Sequence, residues 1–478
     1  MNKRVAALGS KLHEDCLKAQ GFVAELELSS HPLSATISEL TDTARRLLAM
    51  LGTDSTNSHL PPSQDPYRQK VTRQPDGRKP GGQRGHKGTR LVPFENPDRI
   101  VELKVDEAYL TPDAELVGIK KVQVVEIESV RTVIEYRAPV YRLADGSEIT
   151  AEFPKGLNGD IQYGQSVKAL VAYSSAYQLM PYRRIVNLFS DQLRVPISEG
   201  SVYNFLKEAH DRLEPFADWL KHELLASPIL HVDETGISVN GKTHWIHTVA
   251  TSSHTLLAPH AQRGREAINA IGVLPEYGGL VCHDCWSSYF AYDDVTHVLC
   301  NAHIMRELKG AEEKYNCRWA RLMHALFKAM YKVCEDGGGS VPAEVRKKLR
   351  TRYRTILTDG EKECEVKKEQ GKQKRTKPQN LLIRLRKHED AVLRFLEDPG
   401  VPFTNNLAEN ALRMTKVQQK VSGCFRTMEG AKYFCRIRSY LSTCQKNGVS
   451  PAEALGLLFD DKWPDFVHLQ DKSALLGE

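Results

Sequence analysis

The chain has 478 residues, 66 Lys and Arg against 60 Asp and Glu for a net charge of +6, and 41% hydrophobic with 26% charged residues. That length exceeds what one hydrophobic core serves, so several domains are expected. No run nears the roughly eighteen apolar residues of a membrane span, and +6 is too small to mark a nucleic-acid binder by itself, so charge distribution has to carry that argument.

The opening MNKRVAALGSKLHEDC has no apolar core before Lys11 and Glu14, so no secretory leader is expected and the location read from it is cytoplasmic. The ten cysteines lack the regular spacing of a secreted scaffold, and reduced thiols are expected. Residues 36–51 place Ile37, Leu40, Ala44, Leu47, Leu48 and Leu51 at helical spacing, predicting one amphipathic helix. From Thr53 to Arg90 the composition turns to Ser, Pro, Gly, Gln and basic residues, with NSHLPPSQDP and RKPGGQRGHKGTR, which cannot fold alone. Eight Lys or Arg face one acid between Tyr67 and Arg90, so this arm, with Arg84 and Lys87, can neutralise phosphates or remain a solvated linker.

Residues 99–153 alternate in strand fashion, broken by the hairpin signal ADGS, and predict a small β-rich domain. A helix over GQSVKALVAYSSAYQLM follows, then YRRIVNLFSDQL and SEGSVYNFLKEAHDRL, two short helices about RVPI. That pair reads either as a helical hairpin or as a helix-turn-helix, whose second helix would bring Glu199, Ser201, Val202 and Asn204 to base edges.

From Ser227 the order is β, β, β, α, β, ending in GGLVCHDCWSSYF. This matches the ribonuclease-H-like fold, in which the first and fourth strands are neighbours. Asp233 ends the apolar run ILHVD and Asp284 ends LVCHD, 51 residues later, so both carboxylates are expected at the sheet rim. An acid there is costly unless something positive pairs with it, and a shared divalent cation is one solution; a turn-forming role is the other reading. In TNNLAENALRMTK, Glu409, Arg413 and Lys416 stand at i, i+4 and i+7, placing one carboxylate and two cations on one helical face.

The sequence resembles the insertion sequence 66 family of TnpC-type DDE transposases over most of its length. The segments that carry the resemblance are NSHLPPSQDP, KPGGQRGHKG, LMPYRRIVNLF, HVDETG, HDCWSSY, CNAHIMREL, TNNLAENALR and SYLSTCQKNGVSPAEALGLLF, in that order. The resemblance implies Asp233, Asp284 and Glu409 as a catalytic triad that binds Mg²⁺, with Mn²⁺ able to substitute, and Arg413 and Lys416 at DNA phosphate. It implies terminal inverted repeats and target DNA as partners, at least a dimer on DNA, and accessory proteins from the same element. A DNA-binding regulator without catalysis and a nuclease that cuts without joining are the competing readings.

The 125-residue separation of Asp284 and Glu409 implies a helical insertion, whose residues 341–390 hold sixteen Lys or Arg against eight acids and form a second candidate DNA surface. Relatives carry cysteine pairs after the arm, but this chain has no cysteine from Leu17 to Val281, so zinc is not expected there. Cys282, Cys285, Cys300 and His303 have acceptable zinc spacing, yet Asp284 would fall inside that site, so Cys300, His303 and His297 are read as structural or near-site residues. The expected architecture is α/β and multidomain: an N-terminal helical segment (1–52), a basic arm (53–98), a β-rich domain (99–160) and a helix-turn-helix (161–222). A ribonuclease-H-like core follows (223–310 and 399–445), split by the insertion (311–398) and ending in a tail (446–478).

Overall fold

The computed structural model describes residues 92–104, 118–127, 131–154, 156–157, 159–364 and 375–469. The expected helix over 36–51 and the basic arm with Arg84 and Lys87 lie outside them.

The region expected to be β-rich contains, among the described residues, one antiparallel hairpin of β1 (Val140–Arg142) and β2 (Glu148–Thr150). The ADGS turn closes it: the Gly146 amide donates to the Leu143 carbonyl at 3.0 Å, with Gly146 at φ +86°. The other alternating segments are not strands there, and Leu103, Val122 and Ile127 are more than 80% exposed. Alternation makes a strand only when a second layer covers the apolar side, and none does so among these residues.

Four helices follow: α1 (Gln165–Ala172), α2 (Tyr182–Asp191), α3 (Glu199–Arg212) and α4 (Glu214–Leu225). Ser198 caps α3, its hydroxyl accepting from the Ser201 amide at 3.0 Å. Val202, Phe205, Leu206 and Ala209 on α3 are buried. Val202 is fully enclosed and therefore cannot reach a base edge, which corrects the expectation from helix position alone.

The central sheet is built from β3 (Ile229–Val239), β4 (Lys242–Ala250), β5 (Thr255–His260), β6 (Leu280–His283) and β7 (Thr296–Leu299), in spatial order β5-β4-β3-β6-β7. The first three strands are antiparallel, and β6 and β7 run parallel to β3. Asn240–Gly241, both at positive φ, form the two-residue turn between β3 and β4 that suits the twist of the paired strands. Helix α5 (Arg265–Ile271) lies in the crossover from β5 to β6.

After β7 come α6 (Asn301–Tyr315), α7 (Arg318–Asp336), α8 (Ala343–Glu363), α9 (Lys377–Lys387) and α10 (Glu389–Leu393), which bury Trp319, Phe327 and Tyr353 in a second core shared with Cys282 of β6 and Val298 and Leu299 of β7. The chain then returns to the sheet as α11 (Asn406–Ser422), α12 (Met428–Lys446) and α13 (Pro451–Phe459). Helix α12 seals the β5 edge: Thr443 and Ser439 hydroxyls accept from the Thr255 and Leu257 amides at 3.1 and 2.8 Å. Those donors would otherwise template pairing with another strand.

Strand β3 serves two cores by alternation. Leu230 and Val232 enter a large core with Val281, Phe216 and Tyr440. Ile237 and Val239, on the opposite face, meet Leu412 of α11 and Phe434 of α12. The face that carries odd-numbered β3 residues is therefore the one α11 covers. Among the described residues no helix is long and apolar enough to cross a membrane, and all nine cysteines are free.

Candidate active site

The sheet register brings the two aspartates level. His231 pairs with Cys282 at the last parallel step of β3 and β6, so Asp233 and Asp284 each stand two residues further on, facing the same side. Asp284 directly follows β6, as expected of a strand-end residue. Asp233 does not end its strand: β3 continues six residues to Val239, paired throughout with β4. It is the departure of β6, not the end of β3, that opens the sheet beside Asp233.

Glu409 reaches the same place from the first turn of α11. Asn405, 1% exposed, holds that helix start to the sheet. Its amide nitrogen donates to the Val232 carbonyl at 2.8 Å, its amide oxygen takes the His231 Nδ1 proton at 2.9 Å, and its backbone amide contacts Cys300 Sγ at 3.2 Å. Burial lowers the proton affinity of His231, which keeps it neutral in this role. The doubled Asn before Glu409 is thus explained in its first member, while Asn406 is exposed.

The three carboxylates sense one another. Burial pushes Asp233 well above the usual carboxylate range, and Glu234, Asp284 and Glu409 add repulsion in that order, against one hydrogen bond from the Glu234 amide. Burial also raises Glu409, opposed by the Arg306 guanidinium and reinforced by Asp284. Asp284 accepts from the Trp286 amide at 3.0 Å. Around Glu409 Oε1 stand His303 Nδ1 at 3.6 Å, Arg306 Nη2 at 3.8 Å and Cys300 Sγ at 4.0 Å.

On the other face of β3, Glu234 is a buried acid that pattern reading missed. Arg263 grips it through Nε and Nη2 at 2.8 and 2.6 Å, and the Tyr289 hydroxyl donates to its second oxygen. Arg263 lies between the rings of Trp245 and Trp286, 4.8 and 4.4 Å from their centroids. The local sequence gives no hint of this pair, because its partners come from three separate segments.

The expected DNA-facing residues divide. Arg413 and Asn204 are exposed and Ser201 is half-buried beside the Ser198 cap. Lys416 instead turns inward and donates to the Gly236 carbonyl at 2.5 Å, its proton affinity lowered by burial, so it ties α11 to β3. Much of the basic insertion is also committed internally: Arg350 pairs with Asp390 and Glu397, Arg354 with Glu389, and Arg386 with Glu361. Lys347, Lys348 and Arg352 remain exposed. His297 takes part in a 3.0 Å contact with His283 rather than pointing to the carboxylates. Cys282 and Cys285 do not join Cys300 and His303; the ligand group found among the described residues is Cys300, His303 and Glu409.

The family model described as Transposase IS66 family matches residues 160–433, more than half of the chain. The chain belongs to the IS66 family of transposases. The match runs from the helices before the sheet, through β3 and β6, to α11 and the start of α12, so Asp233, Asp284 and Glu409 all fall within it. A curated relative, the uncharacterized protein y4jO of Sinorhizobium fredii, is 34% identical over 76 residues, 16% of this chain, and the match spans about a quarter (24%) of that relative's length. Membership in the IS66 family fits the mixed five-stranded sheet with its surrounding helices.

Proposed function

We propose that this chain is a DDE transposase that cleaves DNA at terminal inverted repeats and joins the ends to target DNA, with Asp233, Asp284 and Glu409 as its catalytic triad. The observation that carries this reading is the convergence of three acids from β3, the end of β6 and the start of α11, each close enough to disfavour ionisation of another. A ribonuclease-H-like core is supported by the sheet order, in which the fourth strand returns parallel beside the first.

Asp284 and Glu409 add repulsion at Asp233, and Asp284 adds it at Glu409, so the three carboxylates suit a divalent cation whose charge removes that repulsion; oxygen ligands of this kind suit Mg²⁺, with Mn²⁺ as a substitute. Asp233, Asp284 and Glu409 would hold it, and the chemistry it supplies is charge neutralisation at the scissile phosphate and acidification of an attacking hydroxyl. The remaining work falls to the chain. Asn405 fixes the first turn of α11 against β3, so that Glu409 is held level with the two aspartates. Lys416 anchors the helix about two turns further along, seven residues after Glu409, and the exposed Arg413 contacts backbone phosphate. Burial of the acids beside β3 limits water at the reacting centre and strengthens electrostatic interactions there.

Residues 182–212 would act as a helix-turn-helix, with Ser201 and Asn204 at the DNA, and Arg84 and Lys87 of the arm would add phosphate contacts. Synapsis of two ends requires at least two protomers, and proteins of the same element can assist. The test is Glu409→Gln on a labelled duplex ending in the element's terminal repeat. It should bind with wild-type affinity and show no strand cleavage, whereas retained cleavage removes Glu409 from the triad.

A further inference from the structure

The sulfur, nitrogen and oxygen atoms around Glu409 form a second donor set, different in kind from the three carboxylates. Cys300 occupies the N-cap position of α6, and His303 is three residues on, so both project from the same helical turn. Glu409 faces them from the first turn of α11, and one donor atom from each residue lies within 4.8 Å of the other two. Two edges of this donor set are 3.6 Å from His303 Nδ1 to Glu409 Oε1 and 4.0 Å from Cys300 Sγ to Glu409 Oε1. A tetrahedral zinc ion with ordinary bond lengths needs edges of roughly 3.3–3.6 Å, so the Glu409 edges require shifts of only a few tenths of an ångström.

We propose that Cys300, His303 and Glu409 form a binding site for a borderline-soft divalent ion of the zinc type, with its fourth position open. The donors select the ion: a thiolate and an imidazole favour Zn²⁺ or Co²⁺ strongly over Mg²⁺, which prefers oxygen. Binding forms a metal–sulfur bond and releases the Cys300 thiol proton to solvent, with no change of oxidation state. The Asn405 amide, 3.2 Å from Cys300 Sγ, is a donor suited to a thiolate, and the same contact orients the sulfur. Arg306, 3.8 Å from Glu409 Oε1, supplies positive charge at the same carboxylate and therefore competes with the ion. The site shares Glu409 with the reading given above and stands apart from it, because an ion held here draws that carboxylate away from Asp233 and Asp284.

The test needs neither DNA nor turnover. Metal-stripped full-length protein, kept reduced with a non-chelating phosphine, is titrated with Co²⁺ in the presence of excess Mg²⁺. One equivalent should produce the near-ultraviolet sulfur-to-cobalt absorption and the visible bands of a tetrahedral ion, and Zn²⁺ should displace it. Cys300→Ser should abolish the near-ultraviolet band. His303→Gln and Glu409→Gln should each weaken Co²⁺ binding about tenfold or more, and Arg306→Gln should tighten it. No absorption in the wild type, or an unchanged band in Cys300→Ser, overturns the proposal. If Cys300→Ser does not fold, as judged by circular dichroism, unchanged Co²⁺ affinity in His303→Gln and Glu409→Gln overturns it equally. A chain that shows the band but no strand transfer loses the catalytic reading and keeps this site; the reverse result keeps catalysis and removes the site.

Discussion

Replacing Asn405 with Ala tests how the site is held together. The side chain is 1% exposed and makes two hydrogen bonds, to the Val232 carbonyl at 2.8 Å and with His231 Nδ1 at 2.9 Å. Its loss leaves a buried acceptor and a buried donor without their partner, at about 1–3 kcal/mol each; partial relaxation brings the expected sum to about 2–4 kcal/mol. That cost falls on the attachment of α11 to β3. Opening of this helix should therefore become about 30-fold to several hundred-fold easier, at about 1.4 kcal/mol per factor of ten. The assay is amide hydrogen exchange over residues 409–413, where the Glu409 amide makes the first helical bond, to the Asn405 carbonyl at 3.2 Å. Exchange faster by that factor in Asn405→Ala, with the amides of β4 unchanged, is the expected result. A change below about threefold would refute Asn405 as the attachment point.

Arg263→Ala strands the buried Glu234 carboxylate with Tyr289 as its remaining side-chain donor, and should destabilise the fold by about 2–3 kcal/mol, less than the roughly 3–5 kcal/mol of a fully buried pair because 40% of the Arg263 side chain is exposed. Denaturant unfolding followed by fluorescence of Trp245 and Trp286 measures it. For pH dependence, burial holds His210 and His247 at about 4, below the ordinary 6.5. Their folded values are depressed, so the unfolded chain binds more protons between about pH 6.5 and 4, and stability should fall as pH drops through that window. His210→Phe keeps the ring packing on Tyr433, 4.9 Å between centroids, and should flatten the decline in melting temperature over this range; an unchanged slope argues against the assignment.

The sequence was most legible where local pattern and topology coincide. The apolar run LVCHD ends at Asp284 because β6 ends there, and the order of strands led correctly to β3 beside β6. Asp233 does not stand at a strand end as the apolar run predicts, because a strand with one face on the site can carry His231, Asp233 and Thr235 in succession on that face and still continue. The buried Glu234 could not be foreseen, since the Arg263 that compensates it is 29 residues away. Lys416 satisfies the helical spacing expected of a DNA contact, yet spacing gives the face of a helix and not what that face meets; here it meets the Gly236 carbonyl. The described residues within 99–153 show the converse failure, as alternation without a covering layer leaves apolar side chains such as Leu103, Val122 and Ile127 exposed. Asn405 with His231, and Glu409 with Cys300 and His303, are joined across more than 100 residues, where no local period can report them.

The most direct test of the account is strand transfer by the purified chain on a labelled terminal-repeat end, with Mg²⁺ or EDTA, comparing wild type with Asp233→Asn. The account predicts joined product with Mg²⁺ alone, and none from the variant although it binds the same DNA. Joining in EDTA, or undiminished joining by Asp233→Asn, would contradict it.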